Sequence, residues 1–427
     1  MVEKNIKIFK GDIVFTPTKD KFQTYKNAYI IIQDGKVKAI EKELKEEYGH
    51  LTIEDFTDKL IIPGFVDLHF HAPQFPNRGL GLDKELIPWL ETYTFPEEGK
   101  YADIEYAKKV YPKVLHEVWK VGTTRIALFS SIHKDSTKIL FDLFIKSGLG
   151  AYIGKVNMDR NSPEYILEDT ENSIKDTIEI IDEYKNKSNL VKPIITPRFV
   201  PTCTPKLLEE LGKIAEKYDL PVQSHLCENL GEVKWVGELH PNFKNYASIY
   251  EHYGLLRNGK SLMAHCIYNN EDEIALMAKN NVYAVHCPHS NYNLSSGIMP
   301  VRTFLQSGVP VGLGTDVSGG HALGIPSVIV SCIQASKIKW LENKTLPPIT
   351  TSEAFYLGTK GGGSFFGKVG SFEEGYDFDA LIIDDSTLCE IHELTLEERI
   401  QKFIYIGDDR NIVRRYVQGE FVKELDF

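Results

Sequence analysis

The segment Leu60-Ile61-Ile62-Pro63-Gly64-Phe65-Val66-Asp67-Leu68-His69-Phe70-His71 closes an apolar run with a His-x-His pair. Such a run predicts a buried strand. Alternate side chains of a strand share a face. His69 and His71 therefore leave the strand on one side, at its exit, where two imidazoles can converge on one metal ion. A strand can also carry two exposed histidines with no such role, and ligands further along the chain decide between the readings.

Working outward, seven more apolar runs follow at 124–133, 151–159, 191–201, 221–228, 261–265, 282–286 and 309–316. Amphipathic stretches with helical spacing lie between them at 104–120, 166–185, 205–218, 270–279 and 301–306. Thr204 before Pro205 and Asn270 before Glu271 are helix-start signals. Strand alternating with helix predicts βαβ units and a parallel sheet. Eight such units predict an α/β fold of the closed (β/α)8, TIM-like type. His69, His71, Arg198, His225, His265 and Asp316 all fall at or just after the C-terminal end of a run. That is the end at which barrel enzymes build their sites.

The flanks read differently. Segments 6–16, 28–40, 378–383, 402–405 and 413–423 look β-rich, with turns at Asp34-Gly35 and Gln418-Gly419. Residues 1–62 and 371–427 are thus expected to form one small β-sandwich domain from both chain ends, beside a barrel spanning 63–370. The run Gly361-Gly362-Gly363 lacks the remainder of a phosphate-loop motif and reads as helix packing or a turn.

The chain of 427 residues is 42% apolar and 26% charged, an ordinary globular composition. A net charge of −11 and a pI near 5.7 argue against nucleic acid and anionic membrane surfaces as partners. Met1-Val2-Glu3-Lys4-Asn5 leads into no apolar signal core, and no apolar stretch is long enough to span a bilayer. The six cysteines, at 203, 227, 266, 287, 332 and 389, are scattered and include no C-x-x-C pair. Buried thiols in a reducing, cytoplasmic setting are expected.

His225, His265 and Asp316 extend the opening pair. Neutral imidazoles with one carboxylate suit Zn2+ or Fe2+ with a position left for water. There is no H-E-x-x-H helix and no H-x-E with a P-C-x-x-C partner, so neither metalloprotease nor cytidine-deaminase architecture is implied. One ion per subunit is expected, since no bridging lysine is evident; Lys155 is the position to check.

The 63–71 segment and Gly314-Thr315-Asp316 resemble the amidohydrolase superfamily. Within it, several longer segments are similar to the guanine deaminase family. These are Trp89-Leu90-Glu91-Thr92-Tyr93-Thr94-Phe95-Pro96, the 192–199 segment ending in Thr196-Pro197-Arg198-Phe199, and Ser224-His225-Leu226-Cys227-Glu228-Asn229. His286-Cys287-Pro288 with Ser290-Asn291, and the 407–411 segment, agree as well.

The resemblance implies a homodimeric enzyme that turns guanine and water into xanthine and ammonia. It implies that His69, His71, His225 and Asp316 bind the ion, with His265 in or beside that shell. Asp316 would also accept the proton of the attacking water, and Glu228 would shuttle protons to the ring nitrogen and departing amine. It places Gln74, Arg198 and Phe199 against the purine, near His225 and Glu228, with Trp89 and Tyr93 in a covering loop. A guanidinium opposite the ring carbonyl would favour guanine over adenine. Without the resemblance, Arg198 reads as half of an ion pair and Phe199 as core. His289 stands where the family favours asparagine and is expected outside the metal shell; His286 reads as buried or as supporting that shell. Two rivals remain: an aminohydrolase of the same superfamily acting on another purine, a pterin or a triazine, and a non-catalytic scaffold.

Overall fold

The computed structural model describes residues 5–388 and 392–425. All eight predicted runs carry strand. Phe65–His71, Thr123–Phe129, Gly150–Gly154 and Val191–Pro193 form one parallel four-stranded sheet in that order. Val222–Leu226, Ser261–His265, Tyr283–His286 and Val311–Leu313 form a second. A parallel bridge between Ile195 and Val222 links them. Among the described residues these runs make two open four-stranded sheets and a short two-stranded parallel one, Val156–Asn157 with Thr196–Pro197, not the one closed ring expected. Pro193 and Pro197 offer no N–H, which cuts the ladder short on one side. On the other, the Asp316 N–H donates to the His69 carbonyl at 2.8 Å, and the His71 N–H to that of Val317 at 3.2 Å.

Helices Ile104–Lys120, Thr170–Tyr184, Pro205–Tyr218, Glu271–Lys279 and Val301–Gln306 occupy the intervals predicted for them. Thr204 accepts from the Leu207 N–H, and Asn270 with Glu273 forms a capping box. The glycine run packs a helical turn: a Cβ on Gly362 would lie 3.3 Å from Val66.

Where a sandwich was expected, the described residues of both chain ends share one mixed seven-stranded sheet. Its order is Glu420–Phe421, Ile412–Val417, Ala380–Ile383, Ile53–Pro63, Ile6–Thr18, Lys21–Gln33 and Lys36–Glu41. The opening segment is consequently divided at Gly64. Its first half ends a strand of this sheet, and its second half starts the strand that carries the histidines. Strand alternation serves two cores. Leu60, Ile62, Leu381 and Ile383 face the large core shared with the parallel sheets, whereas Ile61, Ala380 and Ile382 face a cluster with Phe9, Phe378 and Tyr416. Both predicted turns have positive φ at both residues, 52° and 78° at Asp34-Gly35 and 47° and 74° at Gln418-Gly419.

Segment 402–405 is not a strand. It belongs to helix Leu396–Ile406, capped by Thr395 and Glu398, with Ile400, Phe403 and Ile404 buried at helical spacing. A short aromatic and β-branched run imitates a strand when its own period is too short to count.

Candidate active site

Phe65–His71 is buried along its whole length, so its two histidines emerge into a protected space. Their rings meet edge to face with centroids 4.9 Å apart. The Phe129 ring lies 4.9 Å from His69 and 4.5 Å from His71, an apolar wall that sequence reasoning did not single out. Two parallel strands bring His225 and His265 alongside, with ring centroids 5.4 Å apart and the rings stacked nearly parallel.

His265 and Asp316 sit at strand ends with φ of 73° and 48°, a left-handed conformation uncommon outside glycine and typical of functional positions. The buried Asp67 carboxyl braces Asp316's neighbour: the Thr315 N–H and hydroxyl donate to it at 3.0 and 2.5 Å.

His69, His225 and His265 form one group of converging donor atoms, and His69, His71 and Asp316 form another. Asp316 Oδ1 lies 3.2 Å from His69 Nε2 and 3.6 Å from His71 Nε2, and Asp316 Oδ2 lies 3.8 Å from His265 Nε2. Supporting contacts aim the lone pairs inward. His225 Nδ1 donates to the Arg198 carbonyl at 2.6 Å, and His265 Nδ1 to Asn291 Oδ1 at 2.9 Å, which leaves Nε2 of each as the acceptor atom. His69 Nε2 is buried with no hydrogen-bond partner. An orphaned imidazole nitrogen among convergent imidazoles and a carboxylate fits a divalent cation. Burial holds His71 and His225 well below the usual histidine range, in the neutral form a metal requires. For Asp316, burial works against ionisation, but the facing histidines outweigh it and keep its carboxyl well below the ordinary value.

Glu228 lies 3.4 Å from His265 Nε2 and accepts from the Ser296 hydroxyl at 3.4 Å. Burial pushes its carboxyl well above the usual range, with Glu232 and Asp316 adding repulsion.

The cavity above this cluster, about 390 Å3 with its open mouth, is lined by His71, Gln74, Trp89, Arg198, Phe199, His225, Glu228, His265 and Asp316 together with Leu86, Leu90 and Leu294. Every expected substrate-facing residue is therefore present, and His69 stands just beneath. Trp89 lines the cavity, and its indole N–H donates to the Leu80 carbonyl at 3.1 Å. Tyr93 packs against Gly81.

Lys155 is committed elsewhere: its ammonium donates to Glu168 at 2.5 Å and to the Val156 carbonyl at 3.1 Å. His289 lies outside both donor groups and packs on His321 with ring centroids 4.5 Å apart. His286 is fully buried and neither of its ring nitrogens has a partner.

One buried carboxylate near the cavity went unread in the sequence. Glu98 accepts from Gln74 Nε2 at 2.8 Å and from Arg198 at 2.5 Å. Arg198 is thus half of a buried ion pair and also part of the cavity wall. Glu98 lies two residues beyond the quoted 89–96 segment, and a buried arginine calls for a counter-ion, but nothing local says which acid supplies it.

The amidohydrolase family model matches residues 60–422. The guanine deaminase of Dictyostelium discoideum is 39% identical over 98% of this chain and 99% of its own length. The guanine deaminase of Escherichia coli K12 is 32% identical over 99% of each chain. Among solved structures, guanine deaminase from C. acetobutylicum with guanine bound in its active site superposes with a TM-score of 0.97, at 55% identity, covering 98% of this chain and 100% of that one.

Proposed function

Since the chain belongs to the amidohydrolase family, we propose that its cavity carries out one reaction: guanine and water become xanthine and ammonia. The observation that carries this reading is that one cavity is lined by His71, His225, His265 and Asp316 of the cluster, by Gln74 and Arg198, and by Glu228. Relatives bearing the guanine deaminase name match from end to end, and guanine occupies the active site of the C. acetobutylicum structure.

His69, His71, His225, His265 and Asp316 would hold one divalent ion, zinc in our reading, with Fe2+ the alternative the same donors accept. Such an ion lowers the pKa of water to about 7 and so supplies a nucleophile at neutral pH. Asp316, ionised among the histidines, accepts the proton of the water that adds to C2. Glu228, kept protonated by burial, donates to the ring nitrogen; it then takes up the hydroxyl proton of the C2 adduct and passes it to the amine as the C2–N bond breaks and ammonia leaves, and the proton held by Asp316 restores it. Arg198 donates to the ring carbonyl, Gln74 meets the purine's polar edge, and Phe199 and Trp89 cover its faces. Adenine carries an amino group where guanine has that carbonyl, and Arg198 offers it only donors.

We read the two parallel sheets as halves of one barrel, because the Ile195–Val222 bridge and the 69–316 and 71–317 hydrogen bonds span the two gaps between them. The division at 62/63 and 370/371 separates that barrel from the chain-end strands, and a homodimer belongs to the same reading. Among the described residues no helix is long and apolar enough to cross a membrane. Cys203, Cys227, Cys266, Cys287 and Cys332 are buried and unpaired, while Cys389 lies outside the described residues.

Metal analysis of purified protein, with ammonia release followed on guanine, adenine, cytosine, a pterin and an aminotriazine, tests this function. Ammonia from guanine alone is the expected result. Preference for another heterocycle transfers the site to that substrate, and fully metallated protein inert on all of them makes the fold a scaffold.

A further inference from the structure

Gln74 and Arg198 carry no information about purine orientation unless something orients them. Gln74 is two per cent exposed and Arg198 three per cent, so neighbouring protein groups surround and orient them. The amide of Gln74 has two fixed neighbours: its Nε2 donates to Glu98 at 2.8 Å, and its Oε1 accepts from the Ser318 N–H at 3.1 Å. A carboxylate only accepts and a backbone N–H only donates, so these partners permit one of the two amide orientations. One N–H and one lone pair of Gln74 are then left for a ligand.

The second oxygen of Glu98 takes the Arg198 guanidinium at 2.5 Å. Phe95, on the same short helix Phe95–Gly99, lies beneath that guanidinium with its ring centre 5.1 Å away. Glu98 itself is not among the described residues lining the cavity. It stands behind both recognition groups and touches each.

We propose that Glu98 is a positioning residue that sets the specificity edge of the cavity. Its carboxylate selects the orientation of the Gln74 amide, and it neutralises and aims Arg198 so that the remaining donors face a purine carbonyl. The inference rests on the guanine reading above and deepens it. A glutamine at 98 has one accepting oxygen instead of two. It can serve Arg198 or Gln74, and its own amide N–H then confronts the other donor.

The test compares wild-type and Glu98→Gln protein in two measurements: steady-state deamination of guanine, and inhibition by 2-aminopurine, which lacks the ring carbonyl. Glu98→Gln is expected to raise KM for guanine by about 10- to 100-fold with kcat within about 3-fold. Inhibition by 2-aminopurine should change by less than about 3-fold, because that ligand has no carbonyl for the lost alignment to miss. Placed on Arg198→Ala, the same substitution should add less than it does alone, since one of the groups it aims is gone.

Equal losses on guanine and 2-aminopurine, or full additivity with Arg198→Ala, would mean that Glu98 only supports the fold. A guanine KM like that of wild type would overturn the proposal directly. If Glu98→Gln does not fold with its metal, Glu98→Asp keeps the charge and shortens the reach, and the same selective loss is expected of it. Failure of wild-type protein to deaminate guanine sinks the substrate reading, an outcome separate from anything Glu98 does.

Discussion

Glu228 is useful only while it holds a proton that it can give away, and burial beside Glu232 and Asp316 provides for that. Glu228→Gln retains the shape and removes the transferable proton. Turnover on guanine should fall by about 10²- to 10⁴-fold with metal content unchanged; near-normal turnover would take Glu228 out of the mechanism. His286 makes a second prediction at this scale, on stability. Burial, with His265 and His289 adding repulsion, depresses its pKa from 6.5 to about 3. The unfolded chain therefore binds a proton that the folded one refuses between those values, and stability present above pH 6.5 is lost as pH falls toward 3. Thermal midpoints measured from pH 7 to pH 4 should drop less steeply for His286→Leu than for wild type, and parallel curves would refute the linkage. The histidines, Asp316 and Arg198 were all legible from their places at run ends. Glu98 was not, because its partners lie 24 and 100 residues away along the chain.

Among elements, the segment between Gly79 and Gly99 is the one that covers the cavity. It supplies Leu86, Trp89 and Leu90 to the lining and Glu98 behind it. Gly81 permits the turn that starts it: φ is 69°, and a Cβ there would come 2.3 Å from the Tyr93 ring. Gly81→Ala should displace the cover and raise KM for guanine by about 3- to 30-fold, in line with the cost of a strained backbone, with metal retained. An unchanged KM would show that this cover does not contribute to binding. Helices with caps and several turns of periodicity were readable in advance, as at 104–120 and 205–218. The helix containing 402–405 was misread because four residues fit either period, and its cap lies seven residues upstream at Thr395.

Over the whole molecule, the chain ends and the parallel sheets are joined through Arg125. This residue sits on the strand beside the His-bearing one, and its guanidinium donates to Asp379 at 2.5 and 3.1 Å and to Asp377 at 3.2 Å. Arg125 and Asp379 are buried, so Arg125→Met leaves a buried carboxylate unpaired, at a cost of about 3–5 kcal/mol. Denaturant unfolding should register that loss, while a stability equal to that of wild type would show that this ion pair does not hold the two parts together. The sequence by itself determined the eight strand-bearing runs between 60 and 316, which ends of them bear histidines and acids, and that those ends share one side. Strand period, cap chemistry and residue type are local, and local physics is written in consecutive residues. Only the tertiary structure decided that the opening segment divides at Gly64 between two sheets, that the chain ends share one sheet, and that Glu98 grips Gln74 and Arg198 together. Those outcomes depend on which buried surfaces and charges meet after the chain has closed on itself, and no spacing along the sequence encodes that encounter.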